Sequence, residues 1–264
     1  MKDEVSAGGM SFDDLGDGPA LVLLHAFPLA RAMWRPQVEA LKADYRLIVP
    51  DLRGFGGSAG FADGMSVETL ADDVAALLDE LKVPGPVVLG GLSMGGYVAL
   101  AFARRHPARL RGLVLADTKA DPDDAEGRAN RDRLIAFAQN NTARAVIDQM
   151  LPKLLGVDTT ARHSEVVEEV RAIGSRQTAA GIVGALKALR DRPDANPGLA
   201  AVAVPTLVLV GRDDTLTPPA KSEAMAATVP NARLVVLDGA GHLSNLEQPE
   251  RFNDALRSFL QAIR

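Results

Sequence analysis

The chain has 264 residues, 47% apolar and 24% charged, with 24 glycines, 16 prolines and a formal net charge of −5. That composition excludes a disordered, collagen-like or coiled-coil chain. The acidic balance, with no Lys/Arg-rich block, argues against nucleic acid or an anionic membrane surface as partner. There is no cysteine, which removes disulfides, thiolate nucleophiles, iron–sulfur clusters and cysteine-ligated zinc together.

In chain order, the first twenty residues lack the apolar run of a signal peptide and carry acids where such a peptide carries bases. No stretch approaches the ~18 apolar residues of a spanning helix. A cytoplasmic protein without membrane attachment is expected. Val- and Leu-rich runs follow at 21–25, 46–50, 86–90, 112–117, 205–211 and 232–238. They are apolar at consecutive positions, as strands buried on both faces of a mostly parallel sheet are.

Helical patterns alternate with these runs. Ser66 reads as an N-cap, and Val67, Leu70, Ala71, Val74, Leu77, Leu78 and Leu81 recur with a period near 3.6. Residues 94–106 form a second helix, which Pro107 ends, and Pro218 and Pro219 open a short one. Pro249 opens the last, with a stripe of Phe252, Leu256, Phe259, Leu260 and Ile263. Strand–helix alternation of this kind predicts an α/β fold, a mostly parallel sheet with helices on both faces. The interval 119–204 breaks the rhythm, with helical patterns at 131–139, 142–151, 164–173 and 177–189 and no strand. It is expected to be an inserted helical cap over the C-terminal ends of the strands, with 1–118 and 205–264 forming the core.

Residues 91–95, Gly-Leu-Ser-Met-Gly, fit G-x-S-x-G between a predicted strand and a predicted helix. In that context the serine occupies a strained strand-to-helix turn with its hydroxyl exposed, so Ser93 is the candidate nucleophile. A serine hydroxyl needs a base. His106 sits at a helix end beside two arginines, His163 lies among charges in the predicted cap, and His25 ends a strand. His242, in the loop after the last strand, has the freedom to serve. An orienting carboxylate is offered by Asp213 or Asp214 after the strand at 205–211, or by Asp117 at the end of 112–117. The oxyanion needs fixed donors: the Met94 N–H directly after the nucleophile, and an N–H of the loop His25-Ala26-Phe27-Pro28, best Phe27. The glycine-rich stretch 53–60 misses G-x-G-x-x-G because Ala59 stands where the pattern needs glycine.

The segments HAFPLARAMW, DLRGFGGS, GLSMGGYVALAFARRHP, GRDDTLTPP and GAGHLSNLEQPERF resemble, in order and spacing, small bacterial α/β-hydrolases. The resemblance is to the branch holding carboxylesterases, 3-oxoadipate enol-lactonases and cofactor-free haloperoxidases or perhydrolases, and is weak across the cap. It implies Ser93 as nucleophile, His242 as base, Phe27 and Met94 as oxyanion donors, and, by its spacing to Pro218, Asp214 as the acid. Many relatives have His-Gly where this chain has His25-Ala26. The implied activity is hydrolysis of a small-molecule carboxylic ester or lactone through an acyl-enzyme, with no metal and no organic cofactor. Met33, Trp34, Met94, Met150 and Leu216 are candidates for an apolar substrate pocket. The same three residues also suit perhydrolysis or C–C bond cleavage, and the scaffold alone suits a non-catalytic ligand-binding protein.

Overall fold

The computed structural model describes residues 4–5, 8–58 and 64–263. Its strands are β1 (Glu4–Val5), β2 (Ser11–Leu15), β3 (Ala20–Leu24), β4 (Arg46–Pro50), β5 (Val87–Leu92), β6 (Leu110–Ala116), β7 (Thr206–Gly211) and β8 (Ala232–Leu237). They form one sheet in the order β1-β2-β4-β3-β5-β6-β7-β8. From β4 to β8 the neighbours are parallel, whereas β2 runs antiparallel to β1 and β4. Every run expected to be a strand falls on one, with ends shifted by at most two residues.

The helices are α1 (Arg35–Leu41), α2 (Val67–Glu80) and α3 (Met94–Arg105), then α4 (Ala125–Asn140), α5 (Ala143–Leu154), α6 (Val157–Arg162), α7 (Ser164–Gly174), α8 (Ala179–Arg190) and α9 (Asn196–Leu199). After β7 come α10 (Pro219–Thr228), α11 (Ser244–Glu247) and α12 (Pro249–Ala262). Ser66 caps α2 reciprocally: its hydroxyl accepts the Thr69 N–H at 3.1 Å, and Thr69 Oγ1 accepts the Ser66 N–H at 2.8 Å.

Strand side chains sort by parity, because alternate residues point to opposite faces. Val22 and Leu24 of β3 join a core layer with Leu70 and Val74 of α2 and Val98 and Phe102 of α3. Leu21 and Leu23 join the opposite layer with Val38 and Leu41 of α1 and Phe252 and Leu256 of α12. Ile182 and Leu186 of α8 extend the first layer, Ile147 and Leu151 of α5 the second, and Met150 packs against both. The α4–α9 segment therefore rests on the core across both layers. It also touches the loops leaving β4 and β8: the Gly56 N–H donates to Gln177 Oε1 at 2.9 Å, and the Leu243 N–H to the Leu154 carbonyl at 3.1 Å.

Two features escape the periodicity. In β2, Asp13 is buried and meets Arg31 Nε at 3.2 Å, while Asp14 takes two donors from Arg46 at 2.9 and 2.6 Å. Acids paired with residues so far along the chain do not read as a strand. The glycine-rich stretch after β4 is closed on its own acid, since Asp51 Oδ2 accepts the Gly57 N–H at 2.9 Å and Oδ1 the Arg31 N–H at 2.8 Å. Residues 59–63 of that region lie outside those described.

At Gly95, in the first turn of α3, an added Cβ would lie 2.2 Å from the Leu24 carbonyl oxygen. Gly95→Ala forces backbone apart and is expected to destabilise the protein by about 1–3 kcal/mol. Gly198→Ala meets nothing within 4 Å and is expected to stay within about 0.5 kcal/mol of the parent. Urea unfolding midpoints of the two variants check both.

Candidate active site

Ser93 joins β5 to α3 with φ 54° and ψ −111°, a left-handed backbone that a non-glycine residue holds only under constraint. The constraint is visible. The Ser93 N–H donates to the Ala116 carbonyl at 2.9 Å, and Thr118 Oγ1 donates to the Ser93 carbonyl at 2.9 Å, so the end of β6 grips the turn on both sides. Gly91 admits the turn: a Cβ there would lie 2.1 Å from the Gly95 carbonyl oxygen.

The half-buried Ser93 lies with Oγ 2.8 Å from His242 Nε2, and His242 Nδ1 lies 2.8 Å from Asp214 Oδ2. Asp214 is buried and accepts from the Leu216 N–H at 2.8 Å, the Thr217 N–H at 3.0 Å and Thr217 Oγ1 at 2.5 Å. Burial alone raises its pKa. The charge and hydrogen bond of His242, with the Thr217 donors, overcome burial and hold the carboxyl below the usual range. An ionised Asp214 has only acceptors to offer, so the His242 Nδ1–H donates to it, and Nε2, when it carries no proton, accepts the Ser93 hydroxyl.

The Met94 N–H is in the first turn of α3, where backbone donors have no acceptor within the helix. Phe27 lies in the turn after β3, in which the Leu29 N–H donates to the Ala26 carbonyl at 2.9 Å and the Phe27–Pro28 peptide is cis. Ala26 is fully buried and is not among the positive-φ residues, so alanine fits where many relatives have glycine. His25 is a brace for this turn. Its Nε2 accepts the Leu52 N–H at 2.9 Å, leaving Nδ1–H to donate to the Ala26 carbonyl at 2.9 Å, and burial holds the imidazole below its ordinary pKa. His106 pairs with Asp72 at 2.8 Å and exposed His163 with Glu165 at 3.0 Å, both away from Ser93.

Two residues expected in a substrate pocket are placed elsewhere. Met33 is fully enclosed with its sulfur accepting the Ala26 N–H at 3.2 Å, and Trp34 packs on Phe252 with ring centroids 5.9 Å apart. Neither offers surface to a ligand, and Met33 supports the turn through its sulfur. Met94 is also buried, whereas Met150 and Leu216 keep partial exposure. Among the described residues, no cluster of three or more His, Cys, Asp or Glu side chains is arranged to hold a metal ion. No helix among them is long and apolar enough to cross a membrane.

The sequence model of the alpha/beta hydrolase fold family matches residues 19–249. The chain belongs to that family. A thermophilic esterase from Thermogutta terrifontis, solved with malate bound, matches with a TM-score of 0.93 at 42% identity, covering 99% of this chain and 97% of that one. The enol-lactonase from Burkholderia xenovorans LB400 matches with a TM-score of 0.90 at 29% identity over 98% and 100% of the two chains. The protein provisionally named carbamate hydrolase RutD from Stutzerimonas stutzeri is 32% identical over 247 residues, 92% of each chain. This chain is thus a hydrolase of the alpha/beta hydrolase fold family.

In this hydrolase two carboxylates that touch none of Ser93, His242 or Asp214, one buried and one half-buried, secure the histidine loop. Glu247 of α11 accepts the Gly241 N–H at 2.9 Å through Oε1 and the Gly156 N–H, between α5 and α6, at 2.7 Å through Oε2. Asp117 accepts the Gly211 N–H at 2.8 Å and the Ser244 hydroxyl. Burial raises both carboxyls, Asp117 well above the usual range, where the negative charge of Asp214 adds to the effect. Neither role was legible in sequence, because the partners come from three separate segments of the chain.

Asp117 does not contact His242, and Asn fits its place. An amide oxygen accepts the Gly211 N–H, an amide N–H donates to Ser244, and asparagine tolerates the observed φ of 44°. Asp117→Asn is expected to keep most of the hydrolase activity. A carboxyl raised in the folded state contributes stability below its unfolded pKa of about 3.9 and loses it as pH rises toward the folded value. Asp117→Asn is therefore expected to gain stability relative to the parent as pH rises from about 4, measured by urea unfolding across pH. Glu247→Ala strands two buried N–H groups and is expected to lose about 1–3 kcal/mol by the same assay.

Proposed function

We propose that this hydrolase cleaves a small carboxylic ester or lactone through an acyl-enzyme on Ser93. The observation that carries the reading is the unbroken chain of 2.8 Å contacts from Asp214 through His242 to the Ser93 hydroxyl. His242 Nε2 takes the Ser93 proton as Oγ attacks the carbonyl carbon, and Asp214 stabilises the imidazolium that forms. The Met94 and Phe27 N–H groups bind the oxyanion. Collapse expels the alcohol, protonated by His242, and water activated by the same ring releases the acid.

The similarity to an esterase and an enol-lactonase supports an ester or lactone as substrate. The α4–α9 segment supplies none of the reacting groups, which assigns it to substrate selection. Partly exposed Met150 is its contribution to the apolar wall, with Leu216 from the core.

Ser93→Ala is expected to fold and to lose p-nitrophenyl ester turnover by ~10³-fold or more, together with labelling by a fluorophosphonate. Asp214→Asn is expected to lose up to ~10⁴-fold in kcat, while Asp213→Asn, exposed and clear of the imidazole, keeps most of its activity. Full turnover in a folded Ser93→Ala variant overturns the reading. Exchanges at Met150 are expected to reorder preference among esters while labelling of Ser93 persists.

A further inference from the structure

On the flank of the molecule, away from Ser93, lies a cavity of about 290 Å³. One wall is the outer face of α3, where Tyr97, Leu100, Ala101 and Arg104 fall three and four residues apart. Val98, Ala99 and Phe102, fully buried, take the opposite face against the sheet. The other wall is the segment entering β7, with Leu199 and Val202. Ser93, His242 and Asp214 line no part of it. The volume equals about ten waters at roughly 30 Å³ each, enough for a chain of on the order of eight carbons.

The charge at one end is unbalanced. Lys119 and Arg192 line the cavity, with Arg131 behind them, and a single carboxylate, Asp123, serves all three. Arg192 holds Asp123 at 2.9 Å and Arg131 at 3.0 Å, which leaves the Lys119 ammonium at 3.9 Å. Of the neighbouring acids, Asp121 pairs with Lys221 at 3.2 Å and Glu68 with Arg104 at 2.7 Å, while exposed Asp194 accepts from Asn196 and keeps its charge. Arg192 is 4% exposed, lies 4.3 Å over the Tyr97 ring, and has no hydrogen-bond partner for Nε. Burial, then the charge of Arg192, holds the Lys119 ammonium below the ordinary lysine value. A half-buried ammonium whose nearest paired carboxylate lies 3.9 Å away, beside an apolar slot, suits one kind of ligand.

We propose that this cavity is a second ligand site that takes a small amphipathic carboxylate, its chain along α3 and its carboxylate on Lys119 with Arg192 behind it. The site is built independently of the Ser93 chemistry, so it stands or falls separately from the proposed reaction. A hydrolase releasing carboxylic acids would meet such ligands as products.

The test is calorimetric titration of sodium octanoate and of octanol into the full chain. Octanoate is expected to bind at least about tenfold more tightly than octanol. Lys119→Met should erase that preference. Ala201→Trp, at an exposed position lining the cavity, should weaken octanoate about tenfold or more by filling the slot. Both variants should keep parental ester turnover, which shows that they are folded. No octanoate binding by the parent up to ~10 mM overturns the proposal. So does parental octanoate affinity in both variants, since the carboxylate is then held elsewhere, at Ser93 included.

Discussion

The rest of the structure depends on one turn. Between the last residue of β5 and the first of α3, the chain must reverse through a left-handed residue that carries a side chain, Ser93. Such a backbone costs on the order of 1–3 kcal/mol and persists only where the surroundings over-determine it. Here they do. The end of β6 binds the Ser93 N–H and carbonyl, and α3 comes close enough to the Leu24 carbonyl that position 95 has no room for a methyl group. The same closeness puts the free donors at the start of α3 beside the turn after β3, where Ala26 and Phe27 sit. The strain thus has a geometric return: the hydroxyl stands clear of the sheet, facing the histidine loop.

That loop is the second element to be held, and acids hold it. Glu247 ties Gly241 to the α5–α6 junction, the Leu243 N–H reaches Leu154, and Asp117 ties Ser244 to the end of β7. His242 is consequently fixed from both sides by bonds that involve neither of its ring nitrogens. Both remain for Ser93 and Asp214. Because Glu247 bonds to Gly156, the α4–α9 segment and the histidine loop share a carboxylate. Exchanging the helices over the sheet therefore bears on loop geometry as well as on substrate fit. The two carboxyls are raised by burial while Asp214, itself buried, is lowered. The difference lies in charge: Asp214 faces the imidazole of His242 as well as three donors from its own turn.

Local pattern carried much of this. Continuous apolar runs mark strands wherever both faces are covered, so the parallel strands were readable from residues 21–25 through 232–238. Ser66 announced α2 because a cap and its N3 partner are three residues apart. G-x-S-x-G marked Ser93 because the turn demands small residues at fixed offsets. What escaped had its partners far away. β2 carries Asp13 and Asp14 and stands outside the apolar runs, and its acids find their partners only in Arg31 and Arg46. Trp34 and Met33 read as pocket residues by chemistry, yet Trp34 packs on Phe252 and Met33 accepts the Ala26 N–H.

By itself the sequence determined the order of strands and helices and marked Ser93 as a candidate, because each depends on spacing within a few residues, and it offered His242 by its place in the loop after the last strand. The residues themselves left Asp117, Asp213 and Asp214 open, and only the family resemblance, through the spacing to Pro218, pointed to Asp214. All three end or follow strands on one edge of the sheet, and only the assembled fold puts a single one of them, Asp214, at 2.8 Å from Nδ1. The tertiary structure also decided what the other acids do. Asp117 and Glu247 are held by backbone N–H groups 94 and 91 residues away along the chain, and nothing local in a sequence encodes a contact of that length.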